Sequence, residues 1–243
     1  SSAGLCSINN YSSCGVGGIV GSIQTSTNVF NDCYSTSDIV VKESYSITGI
    51  GGLVGFANSG TFKFYNSYFK GSFDVPGGEC VGGIIGFDNS SSSVVAENCY
   101  SEFDSITCYN CVGGFIGSQG GSSSVYTLTG CYTDFTKIET TGISDAYAAG
   151  FIGKSVGTLN CSKCYAKFDS VSGKGNNVGG FAGMVTNGSI SNSYVQGSTV
   201  ESAAVNLSFV GGFIGRNSYL GMNNCYTTAA INCDSSVVSK CGT

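Results

Sequence analysis

Gly51-Gly52-Leu53-Val54-Gly55 is the stretch whose recurrence decides the fold. The same pattern stands at Gly17-Gly18-Ile19-Val20-Gly21, Gly82-Gly83-Ile84-Ile85-Gly86, Gly113-Gly114-Phe115-Ile116-Gly117, Gly179-Gly180-Phe181-Ala182-Gly183 and Gly211-Gly212-Phe213-Ile214-Gly215. A seventh copy, Ala149-Gly150-Phe151-Ile152-Gly153, has Ala for the first Gly. The second glycines, Gly18, Gly52, Gly83, Gly114, Gly150, Gly180 and Gly212, are 30 to 36 residues apart. A period of that length marks a repeat architecture. Each unit is too small to bury its own apolar face and must stack on the next.

A second landmark follows in every period: a Tyr preceded by Cys or Ser. The tyrosines are Tyr34, Tyr68, Tyr100, Tyr132, Tyr165, Tyr194 and Tyr226. Cys33, Cys99, Cys131, Cys164 and Cys225 precede five of them, and Ser67 and Ser193 the other two. Upstream, a polar column (Asn31, Tyr65, Glu97, Thr129, Ser162, Ser191, Asn223) alternates with a mostly apolar one (Phe30, Phe64, Ala96, Leu128, Cys161, Ile190, Met222). Alternation of this kind is a strand signal. Clusters such as 89–93 and 120–124 carry turn residues, and no stretch has helical periodicity.

These features predict an all-β solenoid (β-helix) of about seven coils, with ~32 residues and three short strands per coil. Residues 1–243 are read as one repeat domain, with coils beginning near 15, 49, 80, 111, 147, 177 and 209. Coils stacked ~4.8 Å apart would make a rod on the order of 34 Å long. The glycines would ladder at a corner, supplying unusual backbone angles and room for a second backbone. The tyrosines would ladder ring on ring. A seven-bladed propeller is the rival, but a blade needs four strands and ~40 or more residues.

Composition narrows the function. The 243 residues include 38 Gly, 13 Cys, 1 Pro and no His or Trp, with 10% charged and a formal net charge of −5. Ten scattered Lys and Arg leave no nucleic-acid footprint. The apolar runs are too short to span a membrane. The cysteines point to an oxidising compartment; with no His, and with the close pairs Cys108/Cys111 and Cys161/Cys164 at different phases of the repeat, a metal site is not expected. Asn10, Asn89, Asn160, Asn187 and Asn206 head Asn-x-Ser/Thr sequons, candidate glycan carriers in a secreted protein.

The segment 178–194, which runs Val178-Gly179-Gly180-Phe181-Ala182-Gly183 and on to Ser193-Tyr194, resembles the GLUG motif. The resemblance extends over nearly the whole chain in seven copies. It implies large surface or secreted proteins, including adhesin-like ones, and no catalytic residues.

The site candidates are few. Cys33, Cys99, Cys131, Cys164 and Cys225 read as a column of small buried thiols, since Ser replaces them twice. Disulfide candidates are Cys6 with Cys14, Cys233 with Cys241, and Cys80 with Cys111, which both precede Val-Gly-Gly in neighbouring coils. Asp74, Asp104 and Asp169 each follow Phe and would form an outward stripe of solvated carboxylates. Glycosidase chemistry needs two carboxylates across a cleft, and no such pair is legible. Ice binding needs outward Thr at one phase, which Thr25, Thr61, Thr127 and Thr158 do not share. No cofactor is expected.

Residues 1–14 share the phase of 228–241, which reads as whole coils without polar caps. Open strand edges template further pairing, and a non-closing contact of this kind makes a filament. The expectation is a non-catalytic, extracellular or cell-surface structural or adhesive rod. Its partners would be further copies head to tail, or neighbouring repeats, and possible glycans. The alternative is a carbohydrate-binding or polysaccharide-active β-helix.

Overall fold

The computed structural model describes residues 14–24, 26–41, 47–203, 209–233 and 241–242. Strands and turns account for the regular structure, and there is no helix among the described residues. Each coil begins with a short Gly-x-Gly-type strand: Gly15–Gly17, Gly49–Gly51, Cys80–Gly82, Cys111–Gly113, Tyr147–Ala149, Asn177–Gly179 and Phe209–Gly211. With Cys241–Gly242 these form one eight-stranded sheet. A second, eleven-stranded sheet holds the strands after the Gly-Gly motif, and a third holds those starting at the tyrosines. The strands pair in parallel with their equivalents one coil away. That is a β-solenoid with coils of ~32 residues, and it excludes the antiparallel blades of a propeller.

Three strands per coil are cleanest late in the chain, at Tyr147–Ala149, Ile152–Ser162 and Tyr165–Gly173. Earlier coils break the second strand, as at Ile116–Gln119 and Val125–Thr129, where Gly120 to Ser124 intervene. Against the next coil, Ile152–Ser162 carries one extra residue, a register shift between Ser155 and Thr158.

Alternation fills the interior. Val16, Ile50, Val81, Val112, Ala148, Val178 and Val210 form one inward column. The apolar column predicted upstream of the tyrosines also points inward, with Phe64, Leu128 and Ile190 fully buried. Phe115, Phe151, Phe181 and Phe213 stack at 4.9, 4.7 and 4.9 Å between ring centroids. Side chains of one kind repeat at each level, so burial along the axis is continuous.

The second glycines of the motif are required by space. A Cβ on Gly52, Gly83, Gly114, Gly150 or Gly180 would fall on the carbonyl oxygen of the equivalent glycine in the next coil. Their φ angles are not left-handed, so the expected unusual backbone at this corner is not the reason for Gly there. The left-handed corner lies instead one residue before the Cys/Ser column, at Asp32, Asn66, Asn98, Gly130, Lys163, Asn192 and Asn224, with φ between 48° and 62°.

Candidate functional site

The Cys/Ser column closes that left-handed corner. Each thiol or hydroxyl donates to the carbonyl two residues back. Cys33, Cys99, Cys131, Cys164 and Cys225 do so at 3.3–3.5 Å, and Ser67 and Ser193 at 2.8 Å. Several also accept an N–H from the coil before: Cys33 N–H donates to Ser67 Oγ and Cys164 N–H to Ser193 Oγ, both at 3.1 Å. Ser67 N–H donates to Cys99 Sγ at 3.4 Å. Ser and Cys are interchangeable here because both donate and accept. The described thiols Cys33, Cys99, Cys131, Cys164 and Cys225 are free.

Beside this corner the tyrosines face outward and stack. Tyr34, Tyr68, Tyr100, Tyr132, Tyr165, Tyr194 and Tyr226 lie 4.8–5.2 Å apart with ring planes within 8° of parallel. Ring faces are covered by neighbouring rings, leaving edges and hydroxyls to solvent. Two residues on, the same face carries Lys70, Glu102, Asp134, Lys167 and Gln196 in register. Lys70 pairs with Glu102 at 2.9 Å and Lys167 with Asp134 at 2.7 Å. Tyr132 donates to Glu102 at 3.0 Å. Burial, then Glu102, pushes the Tyr132 phenol up, and Glu102 and Asp134 raise the ammoniums of Lys70 and Lys167.

This charge ladder lines a groove of about 640 Å³ across five coils. Asp134, Lys167 and Gln196 line it with Thr136, Asp169 and Ser198, and the inward Phe103, Phe135 and Phe168 lie between the two rows. The phenylalanine stack stops at Gly197, where a Cβ would strike the Phe168 ring. The expected acidic stripe is interrupted: Thr136 stands on the rung between Asp104 and Asp169. Glu102 and Asp134, which the sequence reading did not single out, are the carboxylates on adjacent rungs.

A second polar cluster is internal. Asp88 is fully buried and accepts from Ser92 Oγ at 2.6 Å and Ser124 Oγ at 2.9 Å. Gln119 and Ser155 continue its column and bond to each other. Gln119 Nε2 and the Tyr126 hydroxyl are buried without hydrogen-bond partners. Burial pushes the Asp88 carboxyl up to about 6, with the neighbouring hydroxyls partly offsetting it.

The remaining candidates fall as follows. Cys80 and Cys111 are free thiols and direct neighbours in the first sheet, so no bridge links them in this structure. Side chains on parallel in-register rungs run alongside each other, an orientation that disulfide geometry does not favour. Cys233 is in a disulfide. Cys6 lies outside the described residues, as do Asn10, Asn206 and Thr25. Asn89 and Asn187 are exposed, and Asn160 is half-buried on the outer face, where it accepts from Ser189 Oγ at 3.1 Å. Thr61 and Thr158 do share an outward column, with Thr27, Ser93, Val125, Asn187 and Tyr219; Thr127 sits one column over. Among the described residues no group of three or more Cys, Asp or Glu is placed to hold a metal ion.

Three comparisons bear on this geometry. The family model described as the GLUG motif matches residues 174–201. No curated protein matches the sequence. Among solved structures, a candidate immunoglobulin A1 protease from Bacteroides ovatus is similar over 92% of this chain and 74% of its own, with a TM-score of 0.51 and 18% identity. At that identity the likeness is one of fold.

Proposed function

We propose that this chain, a solenoid bearing the GLUG motif, is a non-catalytic structural or adhesive rod of the cell surface or extracellular space. It joins further copies, or neighbouring repeats, along its axis. One observation carries the reading: columns buried inside the rod are laid open on the outermost described coils. Ile190 is fully buried and Met222, its successor, is 53% exposed; Leu53 is fully buried and Ile19, its predecessor, is 41% exposed. Apolar surface of this kind favours another rung stacked upon it. Secretion is supported by the cysteine content and the sequons, and no described helix is long and apolar enough to cross a membrane. The test is electron microscopy with sedimentation over a concentration series. Rods lengthening with concentration support axial joining; single short particles throughout would refute it.

A second reading is a carbohydrate-binding or polysaccharide-active β-helix, favoured by the groove and its Glu102–Asp134 pair. Calorimetry and product release on a panel of polysaccharides test it. Binding or release lost in Glu102→Gln favours this reading, and no response from any polymer removes it.

A further inference from the structure

We infer that Cys80 and Cys111 form an exchangeable dithiol site that takes low-molecular-weight disulfides and closes into a link between neighbouring coils. The two cysteines are Cα partners on adjacent rungs, 6% and 4% exposed. With Glu79, Asp145, Tyr147 and Lys154 they line a surface pocket of about 340 Å³. Lys154 Nζ lies 4.7 Å from the Tyr147 ring centre, which places a cation at the site.

Six other described thiols lack this combination. Cys99, Cys131 and Cys164 adjoin one another but are fully buried in the corner column. Cys33 and Cys225 are more exposed, but their neighbours in that column are Ser67 and Ser193. Cys108 is fully buried and donates to the Cys111 carbonyl at 3.6 Å. Cys80 and Cys111 pair a thiol neighbour with an opening to solvent.

The exchange balances as follows. Cys111 Sγ, as thiolate, attacks one sulfur of the external disulfide and expels a thiolate, giving a mixed disulfide. Cys80 Sγ gives up its proton, attacks the Cys111 sulfur and expels the second thiolate. The protein loses two electrons and two protons, and the external disulfide becomes two thiols. Hydrogen bonding to Cys111 and burial push the Cys80 thiol up, which disfavours Cys80 as the attacking sulfur. Rung spacing of ~4.8 Å suits the Cα separation of a disulfide, while the parallel side chains strain it, and strain makes a link reducible. This inference is independent of whether rods join.

The full-length chain, reduced and desalted, is incubated with glutathione disulfide without denaturant and mapped by peptide mass spectrometry. The expected product has lost two hydrogens at a Cys80–Cys111 link and retains no glutathione there. Mild thiol reductant reopens it. Cys80→Ser keeps a stable glutathione adduct on Cys111. No link under native conditions, a link formed only after unfolding, or no adduct on Cys80→Ser would each overturn the inference.

Discussion

Among residues, the left-handed corner is the most informative. It needs φ near +50°, which Gly and Asn tolerate and most side chains do not. Six of its seven occupants are Asp, Asn or Gly, and the seventh is Lys163, exposed with φ 57°. Lys163→Asn should therefore stabilise the chain by roughly 0.5–1 kcal/mol, read by urea unfolding; a neutral or negative result would show that the corner tolerates Lys at no cost. Asp88 makes the opposite case. Its folded carboxyl sits near 6, above the unfolded value of ~3.9. The folded chain holds the extra proton between those values, so the associated stability is full below pH ~4 and fades as pH rises through about 6. The shift corresponds to about 3 kcal/mol at most. Asp88→Asn should flatten the pH profile between 4 and 7 and raise the melting temperature at neutral pH. An unchanged profile would place the titration elsewhere.

At the scale of elements, the outward tyrosine column behaves as a strip of nearest-neighbour contacts. An interior ring such as Tyr132 has two stacked neighbours, while Tyr34 has one described neighbour. Aromatic pairs contribute ~0.5–1.5 kcal/mol beyond burial. Tyr132→Ala should then cost about twice what Tyr34→Ala costs in chemical denaturation, and equal costs would argue that stacking is incidental. The strands themselves were legible because alternation and the Gly-Gly pattern recur. The corner column is equally legible, as Asp, Asn or Gly one residue before the Cys/Ser column in six of seven coils. The ladder of Lys70, Glu102, Asp134 and Lys167 was not, because its residues share a position and not a chemical type. The Asp88 cluster was hidden for another reason. It depends on Ser124, which the 120–124 insertion brings under the second sheet.

For the whole molecule, a one-dimensional stack predicts graded stability. Each coil contacts its two neighbours, so the middle is held from both sides, while the outermost described coils have one described neighbour. Hydrogen exchange should be slowest in strands such as Tyr132–Thr140 and Ile152–Ser162, and fastest in Val20–Ile23 and Ala230–Cys233. Uniform protection would mean that the rod unfolds as a single cooperative block. Axial joining of copies would raise protection at the outer coils selectively, which ties the exchange pattern to the proposed assembly.

The tyrosine column has an optical consequence. The chain has no Trp, so tyrosine dominates its near-ultraviolet spectrum. Seven parallel chromophores 4.8–5.2 Å apart are close enough for their transitions to couple. Excitation absorbed at one ring should migrate along the row, with depolarised emission and an intense circular-dichroism band that collapses when the stack is interrupted. The rod thus carries its own spectroscopic ruler, reporting from inside whether its levels are continuous.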